Sequence, residues 1–230
     1  MKSDKGIRWG QCKNPLFARL LEDFIKRLQP LMSGYEIVWF KSGLIEVFEI
    51  KLKAVAVSKK LKEYKEIKSL MCRAFPKNEQ IPMWLLHILA IRKSVEFSAY
   101  YDEDLFCGIS YTVSNEELLF ILYLAVNDKI RSKGYGSAIL QCIKQRFSSK
   151  AIALNIEPLD PKSDNYAQRI KRFDFYLKNG FVDTHYQISD NSDNYQILAT
   201  TTQFPIKEYK LAIKQLSFGL YSPQIEEHTN

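Results

Sequence analysis

Apolar and polar positions change their spacing repeatedly along this chain, and each change marks an element. The longest apolar run, Leu118–Val126, reads as a buried strand. It breaks at the polar turn Asn127-Asp128-Lys129, and a helical repeat through Ala138, Ile139, Cys142 and Ile143 then reaches about Phe147. Upstream, Leu52–Val57 alternates as a strand. Lys60–Cys72 forms a helix with Leu61, Tyr64, Ile67, Leu70 and Met71 inward, and Pro82–Ile91 is a second helix carrying Trp84, Leu85, Ile88 and Leu89. Val95–Tyr101 and Leu105–Val113 read as strands joined by the turn Asp102-Glu103-Asp104. Downstream come a strand at Ile152–Glu157, a helix at Tyr166–Lys178, strands at Phe181–Ile188 and Tyr195–Thr201, and a helix at Ile206–Leu216. The order β-α-α-β-β-β-α-β-α-β-β implies a mixed α/β sheet.

The leading segment follows a different pattern. Asn14-Pro15 opens a helix with a capping residue and a proline at the first helical position, and Phe17, Leu20, Leu21, Phe24 and Leu28 share one face. Tyr35–Phe40 and Leu44–Leu52, with Lys41-Ser42-Gly43 between them, read as a hairpin. Three roles are open for residues 1–48: a small accessory unit on the core, a poorly ordered extension, or a contact between two copies in a homodimer. The main domain is expected at 49–221 and a loose tail at 222–230.

Composition changes this picture little. A chain of 230 residues with 46% apolar and 13% aromatic content can bury a real core. The net charge of +7 is concentrated at the start, where residues 1–60 hold twelve Lys/Arg against six Asp/Glu. The rest is nearly neutral, so nucleic acid is not an expected partner. The start lacks an apolar leader segment and no stretch reaches the roughly 18–20 apolar residues of a membrane span, so a soluble cytoplasmic protein is expected. Cys12, Cys72, Cys107 and Cys142 form no Cys-x-x-Cys pair, and three of them fall in apolar patterns that read as buried thiols. His87 lies among apolar residues, while His185 and His228 have no companions at metal spacing, so no metal is expected.

The candidate chemistry starts where the apolar run ends. Arg131-x-x-Gly134-x-Gly136 opens the helix that follows, and glycines there let the backbone approach a ligand closely. The unpaired amides of the first turn and the helix dipole favour an anion, so strand, basic glycine turn and helix start form a cradle for a phosphate or pyrophosphate. A P-loop string is absent, and a dinucleotide fingerprint would need a third glycine where Ile139 stands.

Leu124-Ala-Val126 followed by Arg131-x-x-Gly134-x-Gly136-x-Ala138 resembles the acetyl-CoA signature of the GNAT superfamily of N-acetyltransferases. Ile152–Glu157 resembles the family's next strand, and Arg169–Phe181, with Tyr176 and Gly180-Phe181, its closing helix. The resemblance spans roughly residues 50–205. It implies a GNAT-like acyl-CoA N-acyltransferase fold, a mixed and mostly antiparallel central sheet flanked by helices. It also implies transfer of the acetyl group of acetyl-CoA to a primary amine, of a small molecule or a peptide, by direct attack. Leu124, Ala125 and Val126 would then meet the pantetheine arm, and Arg131, Lys133, Gly134, Tyr135, Gly136 and Ser137 the pyrophosphate. Tyr176 would act as general acid toward the leaving thiolate. One departure is that Arg169 stands where many relatives carry asparagine. A catalytically silent CoA-binding regulatory or partner-binding module is the alternative.

The base is less well marked. Glu157, at a strand end beside the expected thioester, comes first, Glu117 second and Glu79 third. Glu79 also offers a counter-charge for a cationic amine in the loop before Pro82.

Overall fold

A computed structural model describes residues 35–39, 45–130, 133–190, 193–217, 219 and 224–227. The candidate helix at 15–29 and Arg131 of the cradle lie outside them. Strands β1 (Tyr35–Trp39) and β2 (Ile45–Glu49) pair antiparallel, as the hairpin pattern predicts. The main sheet has eight strands in the order β10-β8-β9-β7-β6-β5-β4-β3. They are β3 (Lys53–Ala56), β4 (Val95–Asp102), β5 (Leu105–Ser114), β6 (Leu118–Val126), β7 (Ala151–Ile156), β8 (Val182–Asp190), β9 (Asp193–Ala199) and β10 (Gln224–Glu227). Every pairing is antiparallel except β6 with β7, which is parallel and needs the intervening helix as its crossover. The tail expected to be loose instead supplies β10, which pairs with β8 from Gln224↔Ser189 to Glu227↔Tyr186. The exposed edge of β8 templates it, because an unpaired strand edge offers a row of backbone donors and acceptors.

Helices cover both faces. One carries α1 (Tyr64–Ala74), α2 (Met83–Leu89) and α5 (Ile206–Leu216) over a core that includes Ile67, Leu70, Leu86, Tyr111, Phe120 and Tyr209. The other carries α3 (Tyr135–Arg146) and α4 (Tyr166–Lys178) over Leu119, Ile121, Ile139, Leu154 and Phe181. None of the five has a side-chain cap at its start, which forgoes about 1 kcal/mol each. Burial outweighs this: Ile67, Leu70 and Met71 of α1 alone are nearly inaccessible, at ~1.5–3 kcal/mol apiece. The pattern places α1 correctly but starts it four residues early, and Cys72, expected inside, lies on its exposed side.

The feature that shapes the site is a bulge in β6. Tyr111 pairs with Tyr123 and Thr112 with Ile121, so Leu122 is the extra residue. Before it Leu118 and Phe120 face the α1/α2/α5 side; after it Tyr123 and Ala125 do, while Leu124 and Val126 face α3 and α4. Bulges sharpen local twist. The parallel ladder of β6 with β7 ends at the same place, with Ile121↔Leu154, and the remainder of β6 diverges from β7.

Candidate active site

The divergence opens a cleft of about 650 Å³. Leu122, Leu124, Ala125 and Val126 form one wall and Leu154 to Glu157 the other, with Tyr176 and Arg172 of α4 and the segment 73–79 around them. The backbone amide of Asn127 donates to the Cys107 carbonyl at 2.8 Å, so this residue faces β5. Alternation by two turns the N–H and C=O of Leu124 and Val126 the other way, into the cleft. Ala125 is turned toward β5, since a side chain at Gly108 would come within 2.4 Å of its carbonyl oxygen. The strand therefore presents two backbone pairs, from Leu124 and Val126, and Ala125 only as wall.

The cradle lies beyond the end of this strand. Gly134 occupies the N-cap of α3 at φ +81°, a left-handed conformation that costs an L side chain about 1–2 kcal/mol. Among the described residues, a side chain there would meet only Ile50 Cδ1, at 3.6 Å. The amides of Tyr135, Gly136 and Ser137 begin a helix with no capping side chain, and Lys133 is exposed beside them. Two residues of the motif have structural duties as well. Gly136 packs against Phe175 and Val126, where a Cβ would lie 3.1 Å and 3.4 Å away. The buried Tyr135 directs its hydroxyl to Asp102, at 2.9 Å.

Tyr176 is only 9% exposed, with its ring edge-on to Phe175 and Phe181. No hydrogen-bond partner for its hydroxyl occurs among the described residues, although the residue lines the cleft. Burial pushes its pKa up to about 12, against a smaller opposing effect of Arg172, so it carries its proton throughout the neutral range.

The carboxylates sort differently from their sequence ranking. Glu157 lines the cleft, yet one oxygen accepts from Asn165 at 2.9 Å and the other is paired with Arg172. Arg169, 3.7 Å from the same carboxylate, also donates to the Pro158 carbonyl and to Asn165. These partners occupy both carboxylate oxygens and tie the end of β7 to α4. Glu117 is exposed at the opposite end of β6, about seven residues or ~23 Å of strand from Leu124, and does not reach the cleft. Glu79 does. Its Oε1 accepts from the Tyr195 hydroxyl at 2.8 Å, and its backbone carbonyl accepts from Tyr123, whose hydroxyl in turn receives the Ile81 amide at 3.0 Å. The pattern offers Tyr123 as a core aromatic of its strand or as a lining of the cleft; it is buried and lies outside the cleft wall. Its ring packs on Phe75 and its buried hydroxyl pins the loop that carries Glu79. His87 is satisfied, at 3.0 Å from the Tyr64 hydroxyl, and burial lowers its pKa.

A mixed sheet that opens between two parallel strands above a glycine-capped helix is the arrangement that the resemblance to the GNAT superfamily leads one to expect. The solved structures agree. A protein assigned to the GNAT acetyltransferase family from Bacteroides thetaiotaomicron superposes with a TM-score of 0.59 at 20% identity, over 75% of this chain and 100% of that one. An aminoglycoside 6'-N-acetyltransferase complexed with coenzyme A gives 0.50 at 14% identity, over 65% and 97%. No family model and no curated protein matches the sequence. The chain has the GNAT acetyltransferase fold.

Proposed function

We propose that this protein is an acetyl-CoA-dependent N-acetyltransferase acting on a primary amine by direct attack. The observation that carries this reading is the pair of backbone edges at Leu124 and Val126 facing an open cleft that ends on Tyr176 at one side and leads to the α3 N-terminus at the other. Acetyl-CoA would supply an activated acetyl group as its thioester. Leu124 and Val126 would pair with its extended arm as a third strand would. The amides of α3, with Lys133 and Arg131, would receive its phosphates. A backbone amide of this stretch of β6 would donate to the thioester carbonyl.

Tyr176 holds a proton at the cleft wall for the sulfur that leaves. Its weak acidity is matched to the task, because burial also makes a thiolate more basic. Glu79, held by Tyr195 and Tyr123, is better placed than Glu157 to draw in an ammonium group and take up its proton. Glu157 is assigned to positioning Arg172 and Arg169. An aminoglycoside acetyltransferase among the solved structures supports a small-molecule amine as acceptor. The test is free-thiol release from acetyl-CoA across a panel of diamines, aminoglycosides and lysine peptides. Amine-dependent release supports the reading, while saturable binding without release under any amine would favour a binding module.

A further inference from the structure

The second helix of the α1/α2/α5 face is apolar on all sides. Its sequence, Met-Trp-Leu-Leu-His-Ile-Leu, has no Asp, Glu, Lys or Arg, and its polar residue, His87, is satisfied. Leu86 and Leu89 are buried, but Trp84 is 61% exposed, Ile88 46% and Ile91 just beyond the helix 81%. A helix apolar all round is normally covered on both sides. These three positions stand four and three residues apart, so they form one outward stripe about 10 Å long.

Beside the stripe is a hollow of about 640 Å³ with Met71, Met83, Ile81 and Trp84 in its wall and Lys59, Lys68 and Lys77 at its rim. No carboxylate lines it. None of the three lysines has an ion-pair partner among the described residues. This hollow lies behind the segment 77–81, whose other side closes the cleft through Glu79.

We propose that this face docks an acidic segment of a partner protein, whose apolar side chains cover Trp84, Ile88 and Ile91 while its carboxylates meet Lys59, Lys68 and Lys77. Charge complementarity selects this occupant. The first 34 residues of the chain hold seven Lys/Arg against three Asp/Glu, the wrong sign for a lysine rim, and the chain as a whole is at +7. The stripe also runs past the hollow, farther than a small anion lodged in it would cover.

The probe is a fluorescein-labelled 16-residue helical peptide with Leu and Phe on one face and Glu on the other, compared by anisotropy with its counterpart in which Lys replaces every Glu. The full-length protein should bind the acidic peptide at least tenfold more tightly. Trp84→Glu should abolish binding, and the triple variant Lys59→Glu, Lys68→Glu, Lys77→Glu should reverse the preference; both variants keep the wild-type melting profile because all four positions face solvent. Equal binding of both peptides, or of neither, overturns the proposal, as does a preference that survives Trp84→Glu. Binding that emerges only in Phe17→Asp/Leu21→Asp would make the chain's own leading segment the occupant and also overturns it. So would a dimer in sedimentation velocity that Trp84→Glu dissociates.

Discussion

Replacing Tyr176 by phenylalanine removes one oxygen from a side chain that is otherwise fixed by Phe175 and Phe181. The hydroxyl lines the cleft and makes no hydrogen bond to a described residue, so removing it breaks no bond within the fold. Its loss should therefore leave stability at neutral pH within about 1 kcal/mol of the parent, or raise it. Activity should move the opposite way. A positioned general acid contributes roughly 10²–10⁴-fold, so kcat for thiol release should fall by that range, equivalent to about 3–5 kcal/mol, with acetyl-CoA affinity unchanged. Alkaline unfolding gives an independent check. The buried phenol has its pKa pushed up to about 12, against 10 for the free side chain. A group raised in this way supports the fold below pH 10 and loses that support as the pH climbs through the folded value. Between pH 10 and 12 the parent should forfeit about 2–3 kcal/mol from this residue that the phenylalanine variant does not. Urea melts at pH 7.5 and 11.5 and steady-state thiol release measure all three quantities. An unchanged kcat in a well-folded variant would refute the acid role, and equal alkaline sensitivity of both proteins would refute the burial argument.

Other substitutions separate the remaining roles. Gly134→Ala should lose about 1–2 kcal/mol in thermal unfolding, because φ +81° strains any L side chain even where space is open. Tyr123→Phe should raise KM for the amine more than it lowers kcat, since the loop bearing Glu79 loses both bonds to that hydroxyl; a stability loss of about 1–3 kcal/mol should accompany it. Glu79→Gln should weaken cationic amines by roughly tenfold in kcat/KM, about 1.4 kcal/mol, and leave acetyl-CoA titrations unaltered. Glu157→Gln should destabilise by about 1–3 kcal/mol in urea melts, because Arg172 and Arg169 lose their carboxylate.

The sheet was legible because its strands are apolar runs of the right length and its helices keep their spacing. The glycine turn at the start of α3 was legible because glycine at a helix start answers to a backbone requirement, met here by Gly134. The second glycine shows the limit of such reading, since Gly136 also serves close packing against Phe175, a contact formed across elements 39 residues apart. The pairing of Glu157 with Arg172, the pinning of the Glu79 loop by Tyr123 and the bulge at Leu122 arise from tertiary placement that no local period encodes. Glu117 illustrates the same point in reverse: it immediately precedes the strand that lines the cleft, at the end far from it. The outward stripe of α2 was visible as apolar residues, and only the fold shows that nothing among the described residues covers Trp84 and Ile91.

Hydrogen exchange of the backbone amides, followed by mass spectrometry with and without acetyl-CoA, tests the central claim most directly. Leu124 and Val126 face the cleft without a strand partner there, and the first amides of α3 have no acceptor within the helix. Saturating acetyl-CoA should slow exchange in peptides covering 122–126 and 133–137 and leave β4 and β8 unchanged. Exchange unaffected in both stretches, or slowed only elsewhere, would contradict the assignment of this cleft to the cofactor.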